Sequence, residues 1–294
     1  MTDGVTTTWA GYGGRPVSID IARGRPLLEF IENTSEPGIG SRPRPLTHHA
    51  VADRLALAHW PSGHQIVVCS LTGGTGRTTL SGLIGTVLTE LPYAHLRRPV
   101  ALVETNPAGL SVTPRRWGIV DPEPGTEFHG PIGCTLAGAW AFQDGPRRRE
   151  RTSFSILVID APSGLPSEVS AVAEDPTASV ILLTRPDRAS PADAADALVW
   201  MHRHSQVTRD RVTVVINEGI GKSDRHAKAA GAVLGIRCTA VHRLGPNPTL
   251  APGLVLPSGH ALPTRLRRQI ASICLDVWTT ISQHPTHSTP EEKP

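Results

Sequence analysis

Hydrophobic residues between positions 64 and 283 follow two patterns that alternate along the chain. Short and almost continuously apolar runs, such as SILVID (155–160) and SVILLT (179–184), end in polar residues. Runs of this kind are typical of strands in a parallel sheet that is covered on both faces. Longer segments with apolar residues at helical spacing lie between them, which indicates helices that pack on such a sheet.

These patterns predict a regular order of strands and helices. Because strands alternate with helices, we expect an α/β fold with a doubly wound, mostly parallel sheet. The predicted strands cover residues 65–70, 100–104, 155–160, 179–184, 211–217 and 239–243. The predicted helices cover residues 78–91, 191–204, 226–234 and 263–282.

Glycine, proline, threonine and arginine are frequent in the first 60 residues. SEPGIGSRPRP (35–45) has the composition of a flexible linker, and residues 48–60 predict a helix that leads into the core. RPVSIDI (15–21) alternates like a strand and PLLEFIE (26–32) could form a short helix, although full disorder is an equal alternative here. We therefore expect three parts: a flexible N-terminal extension (1–60), a core domain (61–283) and a disordered tail (284–294).

Charge and composition limit the ligands and the cellular compartment that we expect for the protein. The 29 basic and 26 acidic residues leave a net charge of +3, which is too mild to indicate a nucleic-acid ligand by itself. No apolar signal segment follows the first residues and no apolar run reaches about 18 residues, so we expect a cytoplasmic protein. Four cysteines lie far apart without a C-x-x-C pair, and reduced core residues are favoured over a metal site or disulfide: Cys69, Cys134, Cys238 and Cys274.

A glycine-rich segment, CSLTGGTGRTTLSG (69–82), joins the first predicted core strand to the first helix. The backbone N–H groups of such a loop converge on an anion, and the helix N-terminus adds partial positive charge. Thr78 follows the basic residue Arg77, where a hydroxyl would reach Mg²⁺. Leu71 and Arg77 depart from the strict G-x-x-x-x-G-K-[ST] pattern. A phosphate-binding loop is favoured, and a glycine-rich turn without a ligand is the alternative.

Polar residues follow the ends of three other predicted strands. Asp160 ends FSILVID, where an acid can hold the water shell of Mg²⁺, and Gly164 can offer its N–H to a γ-phosphate. The alternative for Asp160 is an ordinary helix cap or loop acid. Glu104 and Asn106 lie at the end of PVALVETNPAGL, and Asn217 ends VVIN, where its amide could recognise a base edge. The carboxyl ends of parallel strands share one edge, where ligands of such folds bind.

Together these segments resemble the ParA/MinD family of deviant Walker A ATPases over about residues 64–283. TGGTGRTT resembles the loop KGGxGKTT of that family, and VALVETNPAG resembles its strand ending in D-x-D-P. ILVIDAPSG is similar to its D-x-P-x-G element, VVIN to its adenine-side asparagine, and LLTRPDRASPADA to its T-x-P-x-x-x-S stretch. Order and spacing agree across the whole core.

The resemblance implies an ATP- and Mg²⁺-binding homodimer with two nucleotides sandwiched between its subunits. Slow hydrolysis would reset a positioning or partitioning cycle on DNA, a membrane or a protein partner. Thr78 and Asp160 would serve the metal, Thr79 would touch the α-phosphate and Asn217 would recognise adenine. The implied nucleotide-binding residues are Gly73, Gly74, Thr75, Gly76, Arg77, Thr78, Thr79, Gly164 and Asn217.

Three departures from the family pattern concern hydrolysis rather than binding. The signature lysine that crosses the dimer falls on Thr72, and the loop lysine falls on Arg77. The D-x-D pair becomes Glu104 and Asn106, and an amide cannot accept a proton as a carboxylate does. The catalytic candidates are therefore Arg77, Glu104 and Asn106. We expect ATP binding with weak or lost hydrolysis.

Two other functions compete with an ATPase switch. The altered catalytic positions also suit a non-hydrolysing scaffold of a secretion or conjugation apparatus. A NAD- or FAD-binding fold is less favoured, because GTGRTT holds two of the three glycines of G-x-G-x-x-G/A but Thr79 replaces the third. In that reading Glu104 would be the ribose-binding acid.

Other partners are suggested by weaker features. GPRRRER (145–151) could meet DNA or an acidic protein, but a solvated turn is favoured. The last helix is amphipathic, as in MinD-type membrane helices, yet core packing is favoured over membrane contact. The histidine pairs His48/His49 and His202/His204 have no cysteine or carboxylate at metal-ligand spacing, so we expect them at the surface.

Overall fold

The computed structural model describes a defined part of the chain. The described residues are 6–9, 17–20, 48–56, 58, 60–61, 63–90, 100–104, 113–116, 128–129, 135–138, 154–164, 178–187, 189–204, 207–219, 224–250, 255–256 and 262–283.

Strands and helices alternate through most of these residues. The strands are β1 (Thr6–Trp9), β2 (Val17–Asp20), β3 (His64–Ser70), β4 (Val100–Glu104), β5 (Phe128–His129), β6 (Thr135–Gly138), β7 (Ile156–Ser163), β8 (Ser179–Thr184), β9 (Val212–Asn217) and β10 (Ala240–Leu244). The α-helices are α1 (His48–Ala56), α2 (Arg77–Glu90), α3 (Thr113–Arg116), α4 (Ser190–His204), α5 (Asp224–Gly235) and α6 (Thr264–Gln283).

The chain divides into two compact units, residues 1–45 and residues 46–294. In the first unit β1 and β2 pair antiparallel, with Trp9 opposite Val17. β2 lies within segment 15–21, whose sequence alternates like a strand and for which full disorder was the equal alternative; no strand was predicted at β1. The short helix predicted at 26–32 lies outside the described residues. Helix α1, which we predicted at the end of the N-terminal extension, belongs to the second unit.

The second unit is built on an eight-stranded sheet in the order β10-β9-β8-β3-β7-β4-β6-β5. All neighbouring strands run parallel except β5, which is antiparallel to β6. From β3 the chain builds one half of the sheet up to β7, and it then crosses to the other side of β3 to form β8. In such sheets the crevice beside the crossing point, at the carboxyl ends of the strands, is where ligands bind.

Helices cover both faces of this sheet, which confirms the predicted doubly wound architecture. Ile66 and Val68 of β3 face a core shared with α1, α2 and α6. Val67 and Cys69 face a second core shared with α4 and α5. Because both faces of each central strand are buried, every residue of β3, β4 and β8 is buried. This burial explains why their sequences are apolar without alternation.

The six strands and four helices predicted for the core are all present, and most of their ends agree within one or two residues. β7 is the exception, because it continues to Ser163 instead of ending at Asp160. Strands β5 and β6 and helix α3 were not predicted. These elements have two to four residues each, too few to show a repeating hydrophobic pattern.

Helix α6 packs into the core with its apolar face, as favoured from the sequence. Leu266, Ile270, Ile273 and Val277 are all buried in the first core. This apolar face is therefore occupied by contacts within the protein. Among the described residues, no helix is both long and apolar enough to cross a bilayer.

Three cysteines, Cys69, Cys238 and Cys274, are free and buried. Burial raises the pKa of Cys69 and Cys274 to about 12 and that of Cys238 to about 11, so these thiols stay protonated at neutral pH. Cys134 lies outside the described residues.

We predict that Ile270→Ala lowers the free energy of unfolding by about 2–5 kcal/mol, because the side chain is fully buried between α6 and the sheet. Urea denaturation would measure the change. Arg268→Ala is the matched control on the exposed side of the same helix, and it should change stability by less than about 0.5 kcal/mol. Equal effects of the two variants would contradict the packing of α6.

Candidate functional site

The loop between β3 and α2 needs glycine at two defined positions. Gly74 and Gly76 have φ angles of +70° and +94°, in the left-handed region that other residues rarely adopt. A Cβ on Gly76 would also lie 2.7 Å from Nδ2 of Asn217, whereas one on Gly73 would meet nothing within 4 Å. The backbone here curls tightly against a neighbouring side chain before it enters α2.

Asn217, at the end of β9, holds this loop from the side. Its Nδ2 donates to the carbonyl of Thr75 at 2.6 Å, and its Oδ1 accepts from the N–H of Gly219 at 3.1 Å. Both ends of the amide are thus bonded to backbone. We predicted that Asn217 recognises a base edge, and the structure places it in the lining of a cleft, bonded to the glycine loop.

Asp160, in the middle of β7, lies on the other side of the loop and is completely buried. Its carboxylate accepts from Oγ1 of Thr78 at 2.7 Å and from Nε of Arg77 at 3.0 Å. The hydroxyls of Thr113 and Ser81 approach it at 3.4 and 3.5 Å. Asp160 therefore binds residues of α2 and α3 at once, and the predicted pair of Thr78 and Asp160 is brought together.

A second carboxylate stands beside Asp160. Glu104 is only 4% exposed and lies directly opposite Asp160 in the register of β4 and β7. Burial raises the pKa of Asp160, and the charge of Glu104 acts in the same direction. Arg77 and the hydroxyl of Thr78 oppose this shift without cancelling it. The site thus concentrates negative charge at the end of β4 and β7, with Arg77 as a partner of Asp160.

The strand that carries Asp160 is irregular just after it. Val68 of β3 pairs with Asp160, but Ser70 pairs with Ser163, so β7 holds one extra residue at this point. Bulges of this kind redirect the chain and are frequent beside functional sites. The N–H of Gly164, which we predicted to meet a γ-phosphate, donates to the carbonyl of Ser70 at 2.8 Å here. This bond ties the end of β7 to the start of the loop.

Two arginines that sequence reasoning missed also reach the loop. Nη2 of Arg116, at the end of α3, donates to Oγ1 of Thr79 at 3.0 Å. Nη2 of Arg185, just after β8, donates to the carbonyl of Gly74. Arg185 stands inside the LLTRPD stretch, so its place after a buried strand was a usable signal. Arg116 had none, because α3 is too short to predict.

The glycine loop, the start of α2, Arg116, Arg185 and Asn217 border one cleft of about 930 Å³, whereas Glu104, Asp160 and Gly164 are not among its lining residues. Apolar side chains line its other wall, including Leu183, Leu244 and Leu250. Within the described part of the chain, Oγ1 of Thr75 and Nη1 of Arg77 are buried polar atoms without a hydrogen-bond partner. The predicted site residues that line the cleft are Gly74, Thr75, Gly76, Arg77, Thr78, Thr79 and Asn217.

Other predicted features do not meet at the cleft or fall outside what is described. Asn106 and the arginine-rich segment 145–151 are outside the described residues. No group of three or more His, Cys, Asp or Glu residues suited to a metal ion occurs in the part of the chain that the structure describes.

Comparison with known proteins identifies the fold. No protein-family model matches the sequence, and no curated protein matches it. Among solved structures, the cell-division ATPase MinD of Pyrococcus furiosus superposes with a TM-score of 0.54 at 18% identity, over 75% of this chain and 99% of that one. The two proteins therefore share an α/β fold with a doubly wound sheet. In particular, this is the fold of MinD.

Two further structures are similar at TM-scores below 0.5. A nucleotide-binding protein from Archaeoglobus fulgidus in complex with ADP has a TM-score of 0.45 at 14% identity, over 82% of this chain and 95% of that one. A putative plasmid partition protein from Borrelia burgdorferi bound to AMPPNP has a TM-score of 0.46 at 13% identity, over 74% and 99%. Neither adds weight to the assignment of the fold.

We predict that Gly76→Ala lowers the free energy of unfolding by at least about 1–2 kcal/mol, because alanine resists a positive φ and its Cβ would strike Asn217. Thermal or urea denaturation would measure it. Gly73→Ala is the control in the same loop, where the added Cβ meets open space. If both variants were as stable as the original protein, the curled loop described above would be wrong.

Proposed function

We propose that this protein binds ATP together with Mg²⁺ in the cleft between β3, β8 and β9. The observation that carries the proposal is the 2.7 Å bond between Thr78 and Asp160 beside a glycine loop at the crossing point of the sheet. A hydroxyl at the start of a helix and an acid at the end of the neighbouring strand are the two groups that a P-loop protein brings to a metal nucleotide.

The loop fits a polyphosphate. Nη1 of Arg77 and Oγ1 of Thr75 are buried donors without a partner among the described residues, and a bound anion would satisfy both. Gly74 and Gly76 let the backbone curl without a Cβ in the way. The N-terminus of α2 adds the positive end of its dipole. In this proposal the N–H groups of Gly73, Gly74 and Gly76 hold phosphates, and Arg77 neutralises them.

The metal side fits Mg²⁺ in its chemistry. Mg²⁺ prefers oxygen ligands and keeps several waters, which suits one hydroxyl and one carboxylate. In the proposal Thr78 binds the ion and Asp160 supports its water shell. The bound ion would supply neutralisation of phosphate charge. Asn217 stays assigned to adenine as a prediction, and its bond to Thr75 shows that it also supports the loop.

Beyond binding, we propose a ParA/MinD-like switch that dimerises with nucleotide and acts in the cytoplasm. This rests on the motif order of the sequence and on the fold shared with MinD, a cell-division ATPase. A protein partner or DNA would be the object that such a switch positions. Membrane attachment through α6 is not part of the proposal, because the apolar face of that helix is buried in the core.

Hydrolysis is proposed to be weak or lost. Thr72 is exposed at the loop mouth in place of a cation, and Arg77 is held by Asp160. Glu104 is buried beside Asp160, and Asn106 would orient water without accepting its proton. Loss of one charge-stabilising group typically lowers the rate of chemistry by about 10²–10³-fold. A non-hydrolysing scaffold is the second candidate, and the Arg77–Asp160 ion pair is the observation that favours it.

The sheet order argues against the dinucleotide-binding alternative. In that fold the ribose-binding acid ends the strand next to the glycine-loop strand. Here β7 lies between β3 and β4, so Glu104 is separated from the loop strand by a whole strand. The strand beside β3 carries instead Asp160, the acid that this proposal assigns to the metal nucleotide.

Calorimetry of the full chain tests the proposed ligand. We expect saturable binding of ATP in the presence of Mg²⁺, and stabilisation against heat by Mg-ATP but not by NAD. Stabilisation by NAD alone would overturn the proposal. A phosphate-release assay on the same sample separates a slow ATPase from a scaffold, since the scaffold binds without turnover.

Substitution of Arg77 tests its assigned role. Arg77→Ala should weaken Mg-ATP binding by about tenfold to a hundredfold, because a charge-assisted contact is worth about 1.5–3 kcal/mol. Arg77→Lys is the matched variant that keeps the charge, and it should lose less affinity. Circular dichroism must show that both variants are folded, because removing Arg77 leaves Asp160 buried without its cation. Unchanged affinity in folded Arg77→Ala would remove Arg77 from the site.

A further inference from the structure

Arg116 places a second cation in the wall of the cleft. Only 7% of its surface is exposed, and its guanidinium donates to the hydroxyl of Thr79 at 3.0 Å. Arg116, Thr79 and Arg77 line the same cleft. The residue comes from α3, an element that the family motifs quoted above do not include.

Helix α3 is fixed at the site through both of its ends. Its first residue, Thr113, lies 3.4 Å from the carboxylate of Asp160 through its hydroxyl. The carbonyl of Arg116, its last residue, accepts from the N–H of Leu256 at 2.7 Å. The guanidinium is therefore held in position by backbone and side-chain contacts rather than by a long flexible tether.

A buried arginine that lines a cleft beside a glycine loop can contact an anion bound there. Burial lowers the pKa of Arg116, which reflects the free-energy cost of holding its charge away from water. The planar guanidinium also matches the geometry of a phosphate group better than a lysine does.

We propose that Arg116 is a further phosphate-binding residue, which contacts the nucleotide at the end of the polyphosphate next to Thr79. The resemblance assigns Thr79 to the α-phosphate, so Arg116 would serve ATP and ADP alike. It would supply from within the chain part of the positive charge that is missing at Thr72. This inference rests on the proposed nucleotide site.

The alternative is that Arg116 only ties α3 to α2. Both roles use the bond to Thr79. Only the phosphate role predicts that substituting Arg116 weakens the binding of ligands with phosphate groups and spares those without. A structural tie would change the stability of the free protein and leave nucleotide affinities equal.

Calorimetric titrations with ATP, ADP and adenosine, with Mg²⁺ present, would test the proposal on the full chain. Arg116→Gln removes the charge but keeps an amide donor for Thr79. We expect it to weaken ATP and ADP binding by a similar factor of about tenfold to a hundredfold, with adenosine binding unchanged. Arg268→Gln is the matched control, because Arg268 is an exposed arginine that does not line the cleft; it should alter none of the three.

The outcomes separate this inference from the proposed function. If the original protein binds neither nucleotide, both proposals fail. If the original protein binds both nucleotides and Arg116→Gln binds them equally well, only the proposed role of Arg116 fails. That role also fails if Arg116→Gln loses affinity for ATP alone, or if it loses affinity for adenosine as well. Should Arg116→Gln not fold, Arg116→Lys takes its place with an expected loss of about threefold to tenfold for both nucleotides, and no loss would overturn the inference.

Discussion

The carboxylate of Asp160 is the constraint on which the functional edge of this fold depends. A fully buried charge is expensive unless neighbouring groups bond it. Here the partners come from the first turns of α2 and from α3, so satisfying one carboxylate also fixes where the glycine loop ends and where α3 sits. Arg77, 13% exposed, contributes the only ionic contact that the described side chains make to Asp160. The start of α2, Asp160 and α3 are therefore one connected unit.

The regular core could be predicted because its pattern is physically simple. A strand such as SVILLT (179–184) is buried on both faces, so all its residues must be apolar, and its observed ends equal the predicted ones. The prediction for β7 was three residues too short, because Pro162 normally ends a strand. The bulge after Asp160 explains why this proline is tolerated, since a residue at a bulge need not donate to the ladder.

The functional edge could be predicted in part. The predicted strand ends indicated which polar residues lie at the carboxyl edge of the sheet. The structure brings Arg77, Thr78 and Asp160 together there. Sequence patterns carry no information on which partner a long side chain selects once the chain is folded. The pairing of Arg77 with Asp160, the bond from Asn217 to the loop and the approach of Arg116 all depend on tertiary position.

In the proposed nucleotide site, Asp160 would compete with a phosphate group for Arg77, because the two side chains form an ion pair at 3.0 Å. An incoming anion would meet a guanidinium that is already paired with a carboxylate of the protein. Its contact with Arg77 would therefore be gained at the expense of the ion pair between Arg77 and Asp160. Nη1 of Arg77, which has no hydrogen-bond partner among the described residues, would remain available to the anion. A cation arriving beside Asp160 would weaken that ion pair, and the two ligands would therefore enter cooperatively.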